Sequence, residues 1–461
     1  MSLTTPSRTR DLQIKLYRKA KNEPGYRFYM LYDKIYREDI LSHAYELARA
    51  NKGAPGVDGQ SFAEIESRGL GEWLTGIREE LRHKTYQPGY PLGPVRRVMI
   101  PKPGGGERPL GIPTIRDRVV QTAAKLVLEP IFEADLEPSA FGYRPKRSAQ
   151  DAIRKVHKLV CDGYTDVVDA DLSKYFDTIP HCELMQCVAQ RIVDRDVLRL
   201  IKMWLEAPVE ERDENGKRRM SGGKDRHCGT PQGGVASPML ANLYMNRLLK
   251  GWRQTKRGEQ FDAHVVNYAD DFVILSRGKA AEALNWTRQV VTRMGVTLNE
   301  AKTCIKQARQ ESFHFLGYTF GPHRYKKDGH WYLGASPSKK AVARIKEKVG
   351  NHLVGSNTGA WEEVRDRLNQ ILRGWSAYFS YGTRTAAYRA VDNYVYQSVR
   401  NFLRRRHDDV ARALLPAASA LMPTLWLRHF VTTAKACRDE SRHGRHECPR
   451  HVGRWSVRCA G

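Results

Sequence analysis

Hydrophobic positions recur with two different spacings along the chain, and the first of them marks the N-terminal region. In residues 1–50, apolar side chains return about every three to four positions, which predicts amphipathic helices. These positions are Leu12, Leu16, Phe28, Leu31, Ile35, Ile40, Leu41 and Leu47. The stretch "NKGAPGVDG", residues 51–59, is rich in turn-forming residues and ends the region. The pattern predicts a helical segment followed by a different kind of structure.

Short β-branched runs, separated by turns rich in glycine and proline, fill the middle of the chain. Residues 95–113 predict two strands joined by a glycine turn, and "TDVVDADL", residues 165–172, predicts another strand. Residues 229–246 predict a turn followed by a helix. "VVNYADDFVIL", residues 265–275, predicts a β-hairpin, and "FLGYTF", residues 315–320, predicts one further strand. This mixture of helices and strands predicts an α+β core.

Helical spacing returns after about residue 335. One apolar stripe comprises Trp361, Val364, Leu368, Ile371, Leu372, Trp375, Tyr378 and Phe379. A helix with a single apolar stripe packs against other elements through that stripe. The sequence therefore predicts a separate helical module attached to the α+β core.

Length and charge narrow the class of protein. A chain of 461 residues is long enough for about two to four modules, and a hydrophobic content of 41% can form a substantial core. Lys and Arg total 77 against 51 for Asp and Glu, which gives a net charge of +26. A polyphosphate partner is favoured, because cations that neutralise phosphates release condensed counterions. One alternative is a basic protein without a nucleic-acid partner, and another is an anionic membrane surface, for which no basic amphipathic anchor stands out.

Cysteine usage and the N-terminus predict the compartment. The eight cysteines are scattered singly and form no C-x-x-C motif, which favours a reducing compartment over a disulfide scaffold. The N-terminal residues contain no apolar core of a secretory signal, and no apolar run approaches ~18 residues. We therefore expect a cytoplasmic protein with no membrane partner.

Acidic residues mark the candidate chemistry. Asp270 and Asp271 lie in a predicted tight turn between two apolar runs, and Asp171 follows a β-branched strand that also carries Asp169. Carboxylates brought together from a hairpin and a strand end can hold two divalent cations for nucleotidyl transfer. Two alternatives remain open at this point: a solvated turn with incidental acids at Asp270 and Asp271, and a helix N-cap at Asp171.

Motifs in a fixed order resemble one family. "DADLSKYFDTI", "GTPQGGVASPMLANLYMN", "YADD", "LNEAKT" and "FLGYTF" resemble successive reverse-transcriptase motifs. "IPKPGGGERPLGIPTIRDRVVQ" and "FGYRPKRSAQDAI" are similar to the finger motifs of the branch encoded by bacterial group II introns, and "NKGAPGVDG" resembles the motif upstream of the fingers in that branch. "ILRGWSAYFSYG" resembles the maturase (X) region of that branch, and the likeness extends from about residue 10 to about residue 410.

The resemblance implies roles at the reacting centre. Asp171, Asp270 and Asp271 match the three metal-binding carboxylates, which implies two Mg²⁺ ions as cofactors. Lys302 in "LNEAKT" matches a lysine that protonates pyrophosphate, and a plain surface lysine is the alternative.

The resemblance also implies residues that bind the incoming nucleotide. Lys102 and Arg108 match groups that grip the triphosphate, and Gln232 matches a residue beside the nucleotide sugar. Phe176 matches the aromatic gate against a ribose 2′-hydroxyl, with an ordinary core phenylalanine as the alternative. Tyr268 is expected to support the hairpin and contact the primer end. This set implies deoxynucleotides as substrates.

The architecture implied by the resemblance is a right-hand polymerase fold. We expect a basic helical extension in residues 1–60, fingers in residues 61–165 and a palm with the carboxylates in residues 166–334. An α-helical thumb, the maturase or X domain, is expected in residues 335–410, and a basic DNA- or RNA-binding tail in residues 411–461.

The implied function is an RNA-directed DNA polymerase that is also a maturase. Its expected partners are group II intron RNA, an RNA template with a DNA primer, a DNA target and dNTPs, and its tasks are splicing assistance and retrohoming. Two alternatives stay open: a related reverse transcriptase recruited to antiviral defence or CRISPR spacer acquisition, and an RNA-binding splicing factor alone. Homodimer formation is left open by the sequence.

The C-terminal tail departs from many members of that family. It lacks the paired C-x-x-C motifs of an HNH endonuclease, so we expect no endonuclease. It does contain side chains of the types that bind zinc, at spacings that match no standard site. They are Cys437, Cys448, Cys459, His443, His446 and His451. A basic nucleic-acid-binding tail is the favoured interpretation.

Overall fold

Two compact units make up the computed structural model. It describes residues 3–89, 95–101, 107–212, 218–221, 223, 226–230, 233–325 and 328–406. The first unit runs from the N-terminus to Ala341 and includes Tyr381–Thr383. The second comprises Val342–Ser380 and continues from Arg384. Among the described residues, no helix is long and apolar enough to cross a membrane.

More residues of the first unit lie in helices than in strands. They are α1 (Ser7–Asn22), α2 (Tyr32–Ile35), α3 (Glu38–Ala50), α4 (Phe62–Arg82), α5 (Ile115–Glu133), α6 (Ala149–Cys161), α7 (Tyr175–Thr178), α8 (His181–Ala189), α9 (Arg195–Leu205), α10 (Ser237–Gln254), α11 (Arg257–Gln260) and α12 (Ala280–Arg293). The first three confirm the helical spacing near the N-terminus, since Leu31, Ile35, Ile40 and Leu41 are buried. Helix α5 is buried along most of its length and packs against α1 and α3.

Strands form three sheets in the same unit. They are β1 (Val95–Pro101), β2 (Glu107–Ile112), β3 (Asp166–Ala170), β4 (Val209–Arg212), β5 (Arg218–Ser221), β6 (Ala263–Tyr268), β7 (Asp271–Ser276), β8 (Cys304–Gln307), β9 (Phe313–Phe315), β10 (Tyr318–Arg324) and β11 (Trp331–Pro337). The sheet orders are β2-β1-β4-β5, β11-β10-β9 and β6-β7-β3-β8. The predicted α+β class is therefore confirmed.

The sheet β6-β7-β3-β8 lies in the core and carries the acidic motifs. Strand β3 pairs antiparallel with β7 and with β8, and Val168 stands opposite Ile274 of β7. Both side chains are buried, as β-branched residues in a central strand are expected to be. Strand β3 is thus held on both edges up to the residues just before Asp171.

The expectation of a single strand over "FLGYTF" is wrong. Phe315 ends β9 and Tyr318 begins β10, and these two residues pair across a two-residue turn. Leu316 and Gly317 in the turn both have positive φ, 49° and 79°. A tight hairpin turn requires that conformation, which glycine adopts at little cost. The sequence did not predict this turn because Leu316 is apolar and apolar residues are uncommon in such turns.

Three residues between the helices of the second unit belong to the first. Thr383 donates its N–H to the carbonyl of Ala335 in β11 at 2.7 Å, and its hydroxyl lies 2.7 Å from that of Tyr332. Gly382 has φ +71°, and a Cβ there would meet the backbone of Ala335. This short segment therefore covers the edge of β11.

The second unit is helical. It contains α13 (Lys339–His352), whose first three residues belong to the first unit, α14 (Trp361–Tyr378) and α15 (Thr385–Arg406). Val364 and Leu368 of the predicted stripe are buried in the core that these helices share, and other members of the stripe pack against it. Those partly buried members are Trp361, Ile371, Leu372 and Trp375.

Candidate active site

The end of β3 meets the hairpin of β6 and β7. Ala170 stands opposite Phe272 in the antiparallel ladder, so the next residues outward, Asp171 and Asp271, face each other where the ladder ends. Tyr268 pairs with Asp271 across the hairpin. The predicted hairpin is confirmed, but only Asp270 lies in its turn, because Asp271 begins β7. The register brings together Asp171 and Asp271, which lie 100 positions apart in the chain.

The turn of this hairpin contains Ala269 and Asp270. Ala269 adopts φ +59°, in the left-handed region that a two-residue hairpin turn requires. The side-chain amide of Asn267 donates to the carbonyl of Ala269 at 2.8 Å and to that of Asp271 at 3.3 Å. Asn267 is 1% exposed. A buried amide therefore fixes the backbone that carries both aspartates.

A recess, which we call the carboxylate recess, opens beside these strands. It is lined by Asp169, Ala170, Asp171, Asp271, Phe272, Lys302, His314, Phe315, Leu316 and Gly317. Three of these residues come from β3 and its end, and four come from β9 and the turn that follows it. Two carboxylates predicted to act together thus share one solvent-accessible concavity with Lys302.

Crowded negative charge shapes the electrostatics of the recess. Burial, followed by the charges of Asp270, Asp171 and Asp169, raises the pKa of Asp271 to about 7. The charge of Lys302 acts in the opposite direction. The carboxyl group of Asp271 still reaches solvent although protein atoms surround it. A bound cation would offset this repulsion directly.

Asp171 is held by two side chains from the segment after α12. Its Oδ2 accepts a hydrogen bond from Nδ2 of Asn299 at 3.1 Å and lies 3.2 Å from Nζ of Lys302. The backbone carbonyl of Asp171 accepts from the N–H of Asn299 at 2.7 Å. Sequence reasoning missed Asn299, although it stands in the same "LNEAKT" motif as Lys302.

Asp169 lies in β3, two residues before Asp171, and also lines the carboxylate recess. Burial raises the pKa of its carboxyl group, and the ammonium of Lys306 acts against that shift. Lys306 Nζ lies 3.8 Å from Oδ2 of Asp169. Asp169 is therefore a negatively charged neighbour of Asp271, and Lys306 partly offsets the charge of Asp169.

Phe176 lies in the core, only 6% exposed, with its ring centroid 5.8 Å from that of Tyr175. Its carbonyl accepts the N–H of Thr230 at 2.6 Å. Thr230 begins the motif that continues into Gln232, so this bond ties the end of "SKYF" to the start of "TPQGG". The structure therefore places the ring of Phe176 among core side chains.

The remaining predicted residues lie around the same strands or outside the described part. Tyr268 is half-buried at the end of β6. For Arg108 the structure describes only the backbone, which pairs with Ile100 of β1. Lys102 and Gln232 lie outside the described residues, as do the cysteines and histidines of the C-terminal tail.

The donor atoms of the carboxylate recess suit a hard divalent cation. Within the described residues, no three His, Cys, Asp or Glu side chains form a metal site on their own. Carboxylate oxygens are nevertheless the donors that Mg²⁺ takes, and it completes its coordination with water and substrate phosphates. Asp171 and Asp271 line the recess and Asp270 adjoins it, so the residues present fit that ion.

Two family models match the chain. One, described as "Reverse transcriptase (RNA-dependent DNA polymerase)", covers residues 100–320. The other, described as "Group II intron, maturase-specific domain", covers residues 342–414. The first range contains the carboxylate recess, and the second contains α14 and α15.

Individual proteins also resemble the chain. Protein YkfC of Escherichia coli (strain K12) is 34% identical over 72% of this chain and 93% of its own length. Group II intron-encoded protein LtrA of Lactococcus lactis subsp. cremoris is 34% identical over 63% of this chain, which spans 56% of LtrA. Among solved structures, telomerase from Candida albicans in complex with a fragment of telomeric RNA matches at 14% identity and a TM-score of 0.41, over 80% of this chain and 68% of that one.

The two family models lie in the order that the sequence motifs predicted. The resemblance stated from the motifs is therefore confirmed. The chain belongs to the family of reverse transcriptase/maturases encoded by group II introns, whose polymerases are RNA-directed DNA polymerases.

Proposed function

We propose that Asp171, Asp270 and Asp271 hold two Mg²⁺ ions and that the chain uses them to extend a DNA primer along an RNA template. The register of β3 and β7 is the observation that carries this proposal, because it sets Asp171 opposite Asp271. The raised pKa of Asp271 supports it, since neighbouring carboxylates that repel one another gain most from a bound cation.

The chemistry divides between the ions and the side chains. When bound, the ions supply charge neutralisation and activation of the primer hydroxyl for in-line displacement. The aspartates anchor that assembly on a rigid sheet, which preserves its alignment through repeated additions. Lys302, beside Asp171 and 68% exposed, is the group we propose to protonate the leaving pyrophosphate.

Nucleotide selection is assigned to residues around the carboxylate recess. We propose that Lys102 and Arg108 bind the triphosphate and that Gln232 contacts the sugar. Phe176 would limit the space at the 2′ position, and its backbone bond to Thr230 supports a role close to the "TPQGG" segment. Tyr268, opposite Asp271 in the hairpin, is proposed to contact the primer end.

The architecture we propose is that of a right-hand polymerase. Residues 61–165 form the fingers, residues 166–334 the palm, and residues 335–410 the thumb and maturase domain. Residues 1–60 and 411–461 are assigned to a basic helical extension and a DNA- or RNA-binding tail. The central sheet that bears the aspartates supports the palm assignment, and the helices of the second unit support the thumb.

The proposed partners follow from family membership and charge. They are the group II intron RNA, which the protein would help to fold for splicing, and the DNA target and dNTPs used in retrohoming. The net charge of +26 supports contact with RNA. Intron RNA domains flanking the reading frame would favour this role over antiviral defence or CRISPR spacer acquisition.

Primer extension on an RNA template tests the proposal. With dNTPs and Mg²⁺, the wild-type protein is expected to extend the primer, and Asp270→Ala is expected to reduce extension to background because a metal ligand is removed. Asp366→Ala, which removes an exposed carboxylate in the second unit, serves as the control. Normal extension by Asp270→Ala, with equal RNA affinity, would remove the proposed site.

A further inference from the structure

The segment before α6 packs against the hairpin that carries Asp270 and Asp271. The N–H of Phe141 donates to the carbonyl of Asn267 at 2.8 Å, and the N–H of Asn267 donates to the carbonyl of Ser139 at 2.9 Å. The segment therefore pairs with the free edge of β6 immediately before the turn. It forms a backbone support on the side opposite to β3.

Gly142 continues this segment into direct contact with the turn. A Cβ atom built on Gly142 would lie 3.0 Å from the carbonyl carbon of Tyr268 and 3.2 Å from Cα of Ala269, and closer still to the amide nitrogen of Ala269. All three atoms belong to the backbone, so no side chain can rotate away. Only glycine allows the two chain segments to approach this closely.

Asn242 of α10 fixes the position of Gly142. Its side-chain amide donates to the carbonyl of Gly142 at 2.5 Å, and the residue is 5% exposed. The turn is thus held from two sides: Asn267 binds its carbonyls from within the hairpin, and Asn242 holds the glycine that abuts it. A rigid, buried helix is the base of this second support.

We propose that Gly142 and Asn242 are positioning residues that hold the Ala269–Asp270 turn in the position, relative to Asp171, that metal binding needs. The inference rests on the proposed role of Asp270 and Asp271 as metal ligands. A displaced turn would separate these carboxylates from Asp171, which is anchored independently by Asn299 and Lys302. Neither positioning residue touches the substrate in this scheme.

Two asparagines on α10 provide a matched test. Asn246, one helical turn after Asn242, is 2% exposed. Its Nδ2 donates to the carbonyl of Asp135 at 3.0 Å and its Oδ1 accepts the N–H of Glu137 at 2.9 Å, both after the end of α5. Asn242→Ala and Asn246→Ala each remove one buried amide from one helix. A purely structural role predicts that Asn246→Ala, which loses two bonds, is at least as harmful as Asn242→Ala, which loses one. A positioning role predicts a catalytic loss for Asn242→Ala alone.

The readouts separate positioning from binding. For Asn242→Ala we expect kcat for nucleotide addition to fall by about tenfold or more, with KM for dNTP within about twofold, because a misplaced group costs rate. The Kd for Mg²⁺, measured by calorimetry without substrates, and the Mg²⁺ concentration for half-maximal rate should both rise. Asn246→Ala should keep wild-type kcat and Mg²⁺ dependence. Equal kcat and Mg²⁺ dependence in both variants would overturn the inference.

Gly142→Ala is the second variant, with Gly76→Ala as its control. A Cβ on Gly76 meets nothing within 4 Å, so this control makes the same substitution without a collision. We expect Gly142→Ala to lower kcat by about a hundredfold while RNA affinity is retained. Wild-type kcat in Gly142→Ala, measured where Asp270→Ala is inactive, would sink the inference and leave the proposed active site intact.

Discussion

At the scale of single residues, the charge of the carboxylate recess is its defining property. Asp271 is surrounded by three other aspartates and has Lys302 as a cationic neighbour. Lys302 also pairs with Asp171, so one ammonium serves two carboxylates. The carboxyl of Asp271 is therefore partly protonated near neutral pH, and a metal ion must compete with that proton.

This competition predicts that Mg²⁺ binding depends on pH. Because the pKa of Asp271 is about 7 and magnesium binds the ionised form, apparent affinity should rise with pH and level off above the pKa. Below it, the affinity should fall by up to about tenfold per pH unit. Calorimetric titration of the metal-free protein with Mg²⁺ between about pH 6 and pH 8 measures this dependence.

A variant of Lys302 tests the same prediction, with a variant of Lys339 as its control. Its charge lowers the pKa of Asp271, so Lys302→Met should move the pH midpoint of Mg²⁺ binding upward. Lys339→Met, outside the residues that line the recess, should leave the midpoint where it is. A Mg²⁺ affinity that stays constant across the pH range would show that Asp271 is ionised throughout and would contradict the prediction.

At the scale of elements, helix ends and strand registers set the fold. Helix α4 begins after Ser61, whose hydroxyl accepts the N–H of Glu64 at 3.2 Å while the Glu64 carboxylate accepts the N–H of Ser61 at 2.8 Å. This reciprocal capping box satisfies two amide groups that the first turn of a helix leaves unpaired. The S-x-x-E spacing was present in the sequence and identifies the helix that the apolar pattern left undetected.

Removing the cap at Ser61 is expected to lower the stability of the first turns of α4. Ser61→Ala should lower the free energy of opening of the first turns of α4 by about 1 kcal/mol, because the side chain that accepts the Glu64 amide is removed. Hydrogen exchange of the α4 amides measures it. Ser67→Ala, inside the same helix and exposed, should change the exchange rates far less. Comparable protection factors in wild type and Ser61→Ala would refute the cap.

Local sequence predicts the elements better than it predicts their contacts. The β-branched runs predicted β3, β6 and β7, and the Ala-Asp-Asp sequence predicted the turn between β6 and β7. The same reasoning missed the turn at Leu316, because an apolar residue rarely occupies a left-handed conformation. Nor could it find Asn242, since its bond to Gly142 forms only after distant segments have packed.

The convergence of the acids could be anticipated only with help from the family likeness. Alternation along β3 puts Asp169 and Asp171 on one face, but the partner strand and its register depend on the whole sheet. The family likeness predicted that Asp171 lies near Asp270 and Asp271, and the pairing of β3 with β7 is the physical reason for this proximity. The supports of the hairpin become visible only in the folded chain.

At the scale of the whole molecule, positive charge is the dominant property. The net charge of +26 is spread over a long chain, and helix α1 exposes Arg10, Lys15 and Arg18 to solvent. Charges of this kind contact phosphates individually and weakly, and affinity arises from their sum.

This sum predicts a steep dependence of RNA affinity on salt. Replacing Arg10, Lys15 and Arg18 together by Gln should weaken binding to a structured RNA. It should also reduce the slope of log affinity against log salt by about one for each phosphate that is no longer neutralised. Filter binding across a series of KCl concentrations measures the slope. A wild-type affinity that does not change with salt would exclude the phosphate backbone as the main contact.

The segment Tyr381–Thr383 has a consequence for dividing the protein. These residues belong to the first unit although the chain before and after them belongs to the second, so the polypeptide crosses the boundary three times. A truncation at Ala341 would discard the strip that covers β11 and leave the carbonyl of Ala335 without its partner from Thr383. An isolated first unit therefore keeps this backbone pairing only if the tripeptide is joined again after Ala341.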